Sequence, residues 1–363
     1  MNASDINAKV LAPVPWFPIK HRFFGQYGKY AKVPAFEERH GIEVLHPRFP
    51  VIPKIGMTLT PYLMARAMKP VIHRIIKSGF DFDLIDAHYF YPDGVAATIL
   101  GRWFRKPVVI TARGTDINLI PDYPFPRKMI VQASRRSAAN ITVSKALQDR
   151  MISLGISEKK ITVLRNGVDF DLFNPVNKIE AQKKLNINGK ILLSVGNLVP
   201  EKGHELTIGA LPGIPEVHLY ILGEGIMLQH LKDMASTLGV ADRVHFVGSV
   251  PQEKLKYFYS AADALLLMSV REGMPNVVLE SIACGTPVIA TRTGGIPEVV
   301  RESDTGILLK ERSSEALVDA VNKLFVSYPD REAICRYARQ FSWDETTQGQ
   351  LDIFRDAIKN YIV

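Results

Sequence analysis

The commonest pattern along the chain is a short run of apolar, often β-branched residues, then a polar loop, then a stretch with helical spacing. In the first half such runs occupy 9–14, 42–46, 84–88, 108–111, 141–143 and 161–164. In the second half they occupy 191–195, 217–222, 244–247, 264–268, 288–290 and 306–309. Most are almost continuously apolar, which suits strands of a parallel sheet buried on both faces. Helical stretches lie between them, among them 226–238, 252–261, 276–283 and 314–326. Strand and helix alternating in this way predict an α/β protein of two doubly wound, Rossmann-like domains. Asn166-Gly167-Val168-Asp169 reads as a turn and Asn174-Pro175 as a breaker, so the boundary is expected between 166 and 188. The expected division is a first domain over 1–170 and a second over 171–343. An amphipathic helix over 344–363 is expected to pack back on the first domain.

Composition narrows the classes. The 363 residues are 47% apolar and 23% charged, which excludes a mostly disordered chain, a coiled coil and collagen. No run is apolar and long enough for a spanning helix. The first residues lack a basic segment followed by an apolar one, so no secretory signal is expected. Cys284 and Cys335 are the only cysteines, too few for a disulfide framework, and this fits a reducing cytoplasm. The net charge of +8 is uneven: residues 1–165 hold 25 Lys and Arg against 12 Asp and Glu. A basic half can meet nucleic acid, an anionic membrane or a phosphorylated substrate.

The candidate chemistry lies in loops that follow strands. Glu272-Gly273-Met274-Pro275-Asn276 follows the run 264–268 and opens a helix that carries Glu280. In an open α/β sheet, ligands bind beyond the carboxyl ends of the strands, and backbone N–H groups at a helix start suit a phosphate. Two carboxylates there can accept hydrogen bonds from two sugar hydroxyls flanking that phosphate. Gly196-Asn197-Leu198-Val199-Pro200-Glu201-Lys202-Gly203 follows 191–195, with Lys202 as a point charge for a diphosphate. Gly223-Glu224-Gly225 follows 217–222 in the same way. Three such loops on one sheet predict a nucleotide-diphosphate site. No G-x-G-x-x-G or G-x-x-x-x-G-K-[ST] motif is present, and the nine histidines show no metal-ligand spacing, so no bound metal is expected.

These residues resemble the retaining glycosyltransferases of family 4, which have the two-domain GT-B fold with a cleft between the domains. The likeness is carried by V-G-N-L-V-P-E-K-G-H (195–204), L-G-E-G (222–225), F-V-G-S-V (246–250), E-G-M-P-N-V-V-L-E (272–280) and G-T-P-V-I-A-T-R-T-G-G-I-P-E-V-V (285–300). It extends less specifically through D-A-H-Y-F-Y-P-D-G (86–94), T-A-R-G-T-D-I (111–117) and R-N-G-V-D (165–169). The resemblance implies that Glu272 contacts the donor sugar, Glu280 the ribose and Lys202 the departing diphosphate. Gly196, Asn197, Gly223, Gly225, Gly273, Met274, Pro275 and Asn276 would complete the donor site. Asn197 stands where the family usually has an arginine, and Arg113 where it commonly has a histidine. Arginine cannot act as a neutral base, but it can stabilise negative charge or orient an acceptor.

His88, at the end of its strand, either orients the acceptor from the cleft or pins the loop 89–92. Asp116 either positions Arg113, binds the acceptor, or caps a turn. The implied activity is transfer of a sugar from a nucleotide sugar to a glycan or lipid-linked acceptor. A nucleotide-sugar-binding protein without turnover is one alternative. A nucleic-acid-binding protein is another, but no motif supports nucleic acid as a partner.

Two further expectations concern the first half. Residues 60–78 form a basic amphipathic helix, kinked or broken near Pro70. Leu63, Met64, Ala67, Met68, Val71, Ile72, Ile75 and Ile76 recur along it. Its apolar face meets either the sheet or an anionic membrane. The segment 10–18 resembles the second strand of family members, which implies that the first strand and its Gly-rich loop are missing. The competing reading makes 9–14 the central first strand, with Gly25 and Gly28 in its loop.

Overall fold

The protein is described here by a computed structural model that covers residues 6–16, 30–51, 56–302 and 304–361. Its contacts divide the chain into two units. The first comprises Met1–Thr142, Gln148–Val163 and Thr347–Val363; the second comprises Val143–Leu147 and Leu164–Thr346. The chain therefore enters the second unit earlier than residue 171, and most of the C-terminal helix Trp343–Lys359 groups with the first unit.

Among the described residues fifteen strands are numbered in chain order. In the first unit they are β1 (Val10–Leu11), β2 (Val14–Pro15), β3 (Phe36–Arg39), β4 (Ile42–Leu45), β5 (Arg48–Phe49), β6 (Ile85–His88), β7 (Val108–Ala112), β8 (Ala139–Thr142) and β9 (Ile161–Val163). In the second they are β10 (Lys190–Val195), β11 (Val217–Leu222), β12 (Val244–Gly248), β13 (Ala264–Leu267), β14 (Val288–Thr291) and β15 (Gly306–Leu309).

The second unit is one six-stranded sheet in the order β12-β11-β10-β13-β14-β15. Every pair in it is parallel. The order turns at β10, so the loops after β10 and β13 leave neighbouring strand ends in different directions, the arrangement that opens a crevice in a doubly wound sheet. Leu192, Leu219, Ile221, Leu266 and Ile289 of the sheet are buried with Ile208, Leu231, Leu317 and Val321 of the helices.

In the first unit, β6-β7-β8-β9 form a parallel sheet in chain order. The run 9–14 is not one strand. Pro13 lacks the N–H that a ladder needs, and the segment divides into β1 and β2 in different sheets. Among the described residues β1 pairs with β4 alone and lies at one edge of the sheet β1-β4-β3, not at the centre of a doubly wound sheet. The pair β3–β4 is antiparallel, an element the pattern of the sequence does not predict. Gly25 and Gly28 lie outside the described residues.

The helix Thr60–Lys77 runs unbroken through Pro70, against expectation. An internal proline costs a helix about 3 kcal/mol. Each buried Leu- or Met-sized side chain returns about 1.5–3 kcal/mol. Met64, Met68 and Ile72 are buried against Phe49, Ala96 and Leu100, on both sides of the proline, and that burial wins. The apolar stripe is thus core, not a membrane face. Among the described residues no helix is long and apolar enough to cross a membrane.

Candidate active site

In the second unit, the loops after β10 and β11 are bonded to each other. The N–H of Gly196 donates to Leu222 C=O at 2.9 Å and that of Leu198 to Glu224 C=O at 2.9 Å. Gly223 adopts φ +138°, and a Cβ there would lie 1.9 Å from the carbonyl oxygen of Gly196. Only glycine permits that approach. Gly203, at φ +68°, similarly lets the turn Pro200–Lys202 lie on strand β13's exit, where a Cβ would meet Met268 O at 2.3 Å.

That turn delivers Lys202 to Glu272. The ammonium and the carboxylate are 2.6 Å apart, and both side chains are largely buried, at 27% and 10% exposed. The Glu272 loop is braced from behind: Gly295 N–H donates to Gly273 C=O at 2.8 Å, and a Cβ on Gly294 would meet Glu272 O at 2.1 Å. The helix Asn276–Ala283 begins directly afterwards, with Pro275 at its cap. The Asn166 amide donates to Met274 C=O at 3.2 Å and to Asn276 Oδ1 at 2.9 Å, which ties the start of that helix in place. Asn197 is exposed.

One turn into the helix, Glu280 accepts a hydrogen bond from Tyr259 Oη at 2.7 Å. Tyr259 belongs to helix Gln252–Ala261 and is fully buried, its ring edge-on to Phe173 at 6.1 Å. Burial raises the Glu280 pKa, and the Tyr259 hydroxyl opposes that rise. His204 is also buried. Its Nε2 lies 3.2 Å from Asn197 O and its Nδ1 3.0 Å from Ser194 Oγ. A carbonyl can only accept, so Nε2 carries the proton and Nδ1 accepts from the hydroxyl. Burial lowers this imidazole's pKa, which keeps it neutral.

In the first unit, His88 ends β6 and is 45% exposed. Its Nε2 is 2.9 Å from Asp86 Oδ2, and its Nδ1 meets Arg113 Nη2. A guanidinium only donates, so Nδ1 is the acceptor and the proton sits on Nε2, pointing at Asp86. Gln350 of the C-terminal helix also donates to Asp86 Oδ2, at 3.1 Å. Burial lowers the Arg113 pKa, opposed by Asp86 and Asp116.

Asp116 is fully buried. It accepts from the N–H groups of Phe90 at 2.7 Å, Gly114 at 2.7 Å and Arg113 at 3.1 Å. It therefore fixes the backbone of Arg113 and of the loop after β6 and does not present its carboxylate to an acceptor. The loop 89–92 is pinned by Asp116, not by His88.

Among the described residues no group of three or more His, Cys, Asp and Glu side chains is placed to hold a metal ion.

Residues 176–341 match the family described as glycosyl transferases group 1, and residues 24–172 match glycosyltransferase family 4. D-inositol 3-phosphate glycosyltransferase of Acidothermus cellulolyticus is 31% identical over 304 residues, spanning 76% of this chain and 68% of that protein. The chain belongs to the group 1, family 4 glycosyltransferases.

Solved structures show that this glycosyltransferase has the GT-B fold. Sucrose-phosphate synthase from Thermosynechococcus elongatus superposes with a TM-score of 0.77 at 21% identity, over 90% of this chain and 86% of that one. The Anabaena protein HepE, solved with UDP-glucose, superposes with a TM-score of 0.73 at 20% identity, over 94% and 91% of the two chains.

The structure brings Lys202, Glu272 and the loops of Gly196 and Gly223 together in the second unit, and joins His88 to Arg113 in the first. Tyr259, Asn166, Gly294 and Gly295 were not expected in these roles. Asn166 stood out as a turn residue and within R-N-G-V-D (165–169), but with no role assigned, and nothing local to Tyr259 marks it among the aromatics of its helix.

Proposed function

We propose that this glycosyltransferase moves a sugar, with retention of anomeric configuration, from a nucleoside diphosphate sugar to a hydroxyl of a glycan or lipid-linked acceptor on the cytoplasmic side of the membrane. The observation that carries the reading is the Lys202–Glu272 pair at the ends of parallel strands, beside two glycine loops and a helix start.

Breaking the bond from the anomeric carbon to the diphosphate leaves negative charge on the β-phosphate. The acceptor oxygen takes that place on the carbon, and its proton leaves. Preorganised donors aimed at developing charge are worth about 100–1,000-fold in rate each. Lys202 supplies a cation that Glu272 already orients, and the N–H groups at the start of helix Asn276–Ala283 add partial positive charge. These groups neutralise the leaving diphosphate without a resident metal. Once the diphosphate takes up Lys202, the Glu272 carboxylate is released to hold the sugar's hydroxyls. Glu280, tied by one oxygen to Tyr259, offers the other to the ribose. In the first unit, His88 and Arg113 form the acceptor side, with Arg113 favouring an acceptor that carries negative charge.

A thermal-shift series with UDP, GDP, ADP and UDP-glucose tests the donor site. A ligand at 100 times its dissociation constant adds about 2.7 kcal/mol of stability. UDP is the first choice, because the Anabaena neighbour was solved with UDP-glucose. The expected result is one base that stabilises, followed by release of its diphosphate when an acceptor is added. If no nucleotide shifts the melt, the donor reading fails. A shift with no turnover on any acceptor leaves a binding protein and defeats the enzymatic part.

A further inference from the structure

The apolar stripe of helix Thr60–Lys77 is core, yet the helix leaves a different surface open. Met57, Leu59 and Tyr62 at its start are 38%, 53% and 47% exposed, and Trp103 of helix Val95–Phe104 is 36% exposed. They are neighbours: the Tyr62 and Trp103 rings meet edge to face with centroids 6.4 Å apart. Lys69 Nζ lies 5.1 Å above the Trp103 ring. The Tyr91 hydroxyl donates to Met57 C=O and fixes the approach to the helix. Tyr62, Arg66, Lys69, His73 and Lys77 follow at helical spacing along one face. The helix contains no Asp or Glu at all. Arg102 and Arg105 are exposed on either side of Trp103.

We propose that the first unit docks on an anionic lipid bilayer through this patch, with Met57, Leu59, Tyr62 and Trp103 entering the interface and Arg66, Lys69, Arg102 and Arg105 meeting lipid headgroups. Charge complementarity selects the occupant. A helix without a single carboxylate, beside an amphipathic tyrosine and tryptophan, matches the level of a bilayer where rings sit among headgroups and long basic side chains reach outward. The patch is small and only its tip is apolar, so the attachment is reversible and needs both parts: apolar contact and anionic charge. The inference uses no feature of the candidate active site and stands or falls separately from glycosyl transfer.

The test uses the full chain and vesicles of phosphatidylcholine with or without phosphatidylglycerol. Sedimentation with the anionic vesicles alone, weakened by added salt, is the expected result. Arg66→Glu and Lys69→Glu should each weaken partitioning about tenfold or more, since each removes one attraction and adds one repulsion. Tyr62→Ala and Trp103→Ala should weaken it severalfold with an unchanged melt. A direct readout avoids any question of folding. The chain has three tryptophans, so Trp16→Phe with Trp343→Phe leaves Trp103 as the sole indole. Its emission should shift to the blue on anionic vesicles. Equal binding to both vesicle types, binding to neither, or an unshifted Trp103 emission on bound protein would overturn the proposal. So would retention on a nucleic acid at salt concentrations that release the vesicles.

Discussion

Tyr259→Phe isolates the hydrogen bond from Tyr259 to the Glu280 carboxylate. The substitution keeps the ring, its edge contact with Phe173 and its burial, and removes only the hydroxyl. A hydrogen bond to a charged group contributes about 1.5–3 kcal/mol net, and here the carboxylate left behind is mostly buried, so the upper part of that range applies. For a unit of this size, 1 kcal/mol moves the melting temperature about 2–4 °C, so the expected fall is about 4–12 °C. The effect should depend on pH. Burial already raises the Glu280 pKa, and loss of the Tyr259 donor raises it further. A raised carboxylate pKa means that the folded state favours the protonated form, so the stability it contributes is present below the ordinary pKa of about 4.3 and is lost as pH rises through the folded value. The deficit of the variant is therefore largest near neutral pH and shrinks toward acid. Glu280→Gln is the companion: its amide oxygen still accepts from Tyr259 while the buried charge is gone, so it should melt no lower than the parent. Melts followed by circular dichroism at about pH 8 and about pH 5 decide it. A Tyr259→Phe melt within about 1 °C of the parent at the higher pH, or a deficit that grows toward acid, would refute the reasoning.

Glu272→Ala and Lys202→Ala should each lower turnover about 100–1,000-fold with the fold retained, read as product formation beside a melt. Glu280→Gln should weaken nucleoside diphosphate binding, and that loss should vanish for a nucleotide lacking the ribose 2′ and 3′ hydroxyls, measured by calorimetry. Gly223→Ala should destabilise by about 1–3 kcal/mol and abolish the nucleotide-induced thermal shift, because the added Cβ falls 1.9 Å from Gly196 O. For His204, the depressed folded pKa gives stability that is full above the ordinary value of about 6.5 and is lost as pH falls through the folded value, so His204→Gln should flatten the fall in melting temperature on that acid side.

The second unit was legible because its strands are buried on both faces, and such strands write themselves as apolar runs. Helices 252–261, 276–283 and 314–326 coincide with Gln252–Ala261, Asn276–Ala283 and Ser314–Val326. Site residues at strand exits were legible for the same reason: once the strand end is known, Lys202 and Glu272 can only sit beyond it. The first unit was harder. Phe36–Arg39 is mostly exposed and reads F-E-E-R, with no apolar alternation to reveal a strand. Val10 to Pro15 carries enough apolar residues for one strand, but Pro13 divides it into β1 and β2. Tyr259 and Asn166 act through contacts with distant segments, Glu280 in one case and Met274 in the other, and pattern along the chain does not encode those pairings.

The Arg113 position shows how a departure from the family's usual residue can be absorbed by its neighbours. An arginine cannot take a proton at neutral pH, so any acid–base role once expected there has to move or disappear. The structure places His88 against it, with Nδ1 forced to accept and Nε2 forced to donate to Asp86. The pair consequently presents one fixed cation and one imidazole of defined tautomer, held from below by Asp116 through the Arg113 N–H and from the side by Gln350 through Asp86. On the proposed function, such a pair would hold an anionic or hydroxyl-rich acceptor still and would be poorly suited to shuttling its proton. On the proposed function, the acceptor proton would leave on the departing diphosphate oxygen, and Lys202 with the start of helix Asn276–Ala283 would be the groups that stabilise the charge there.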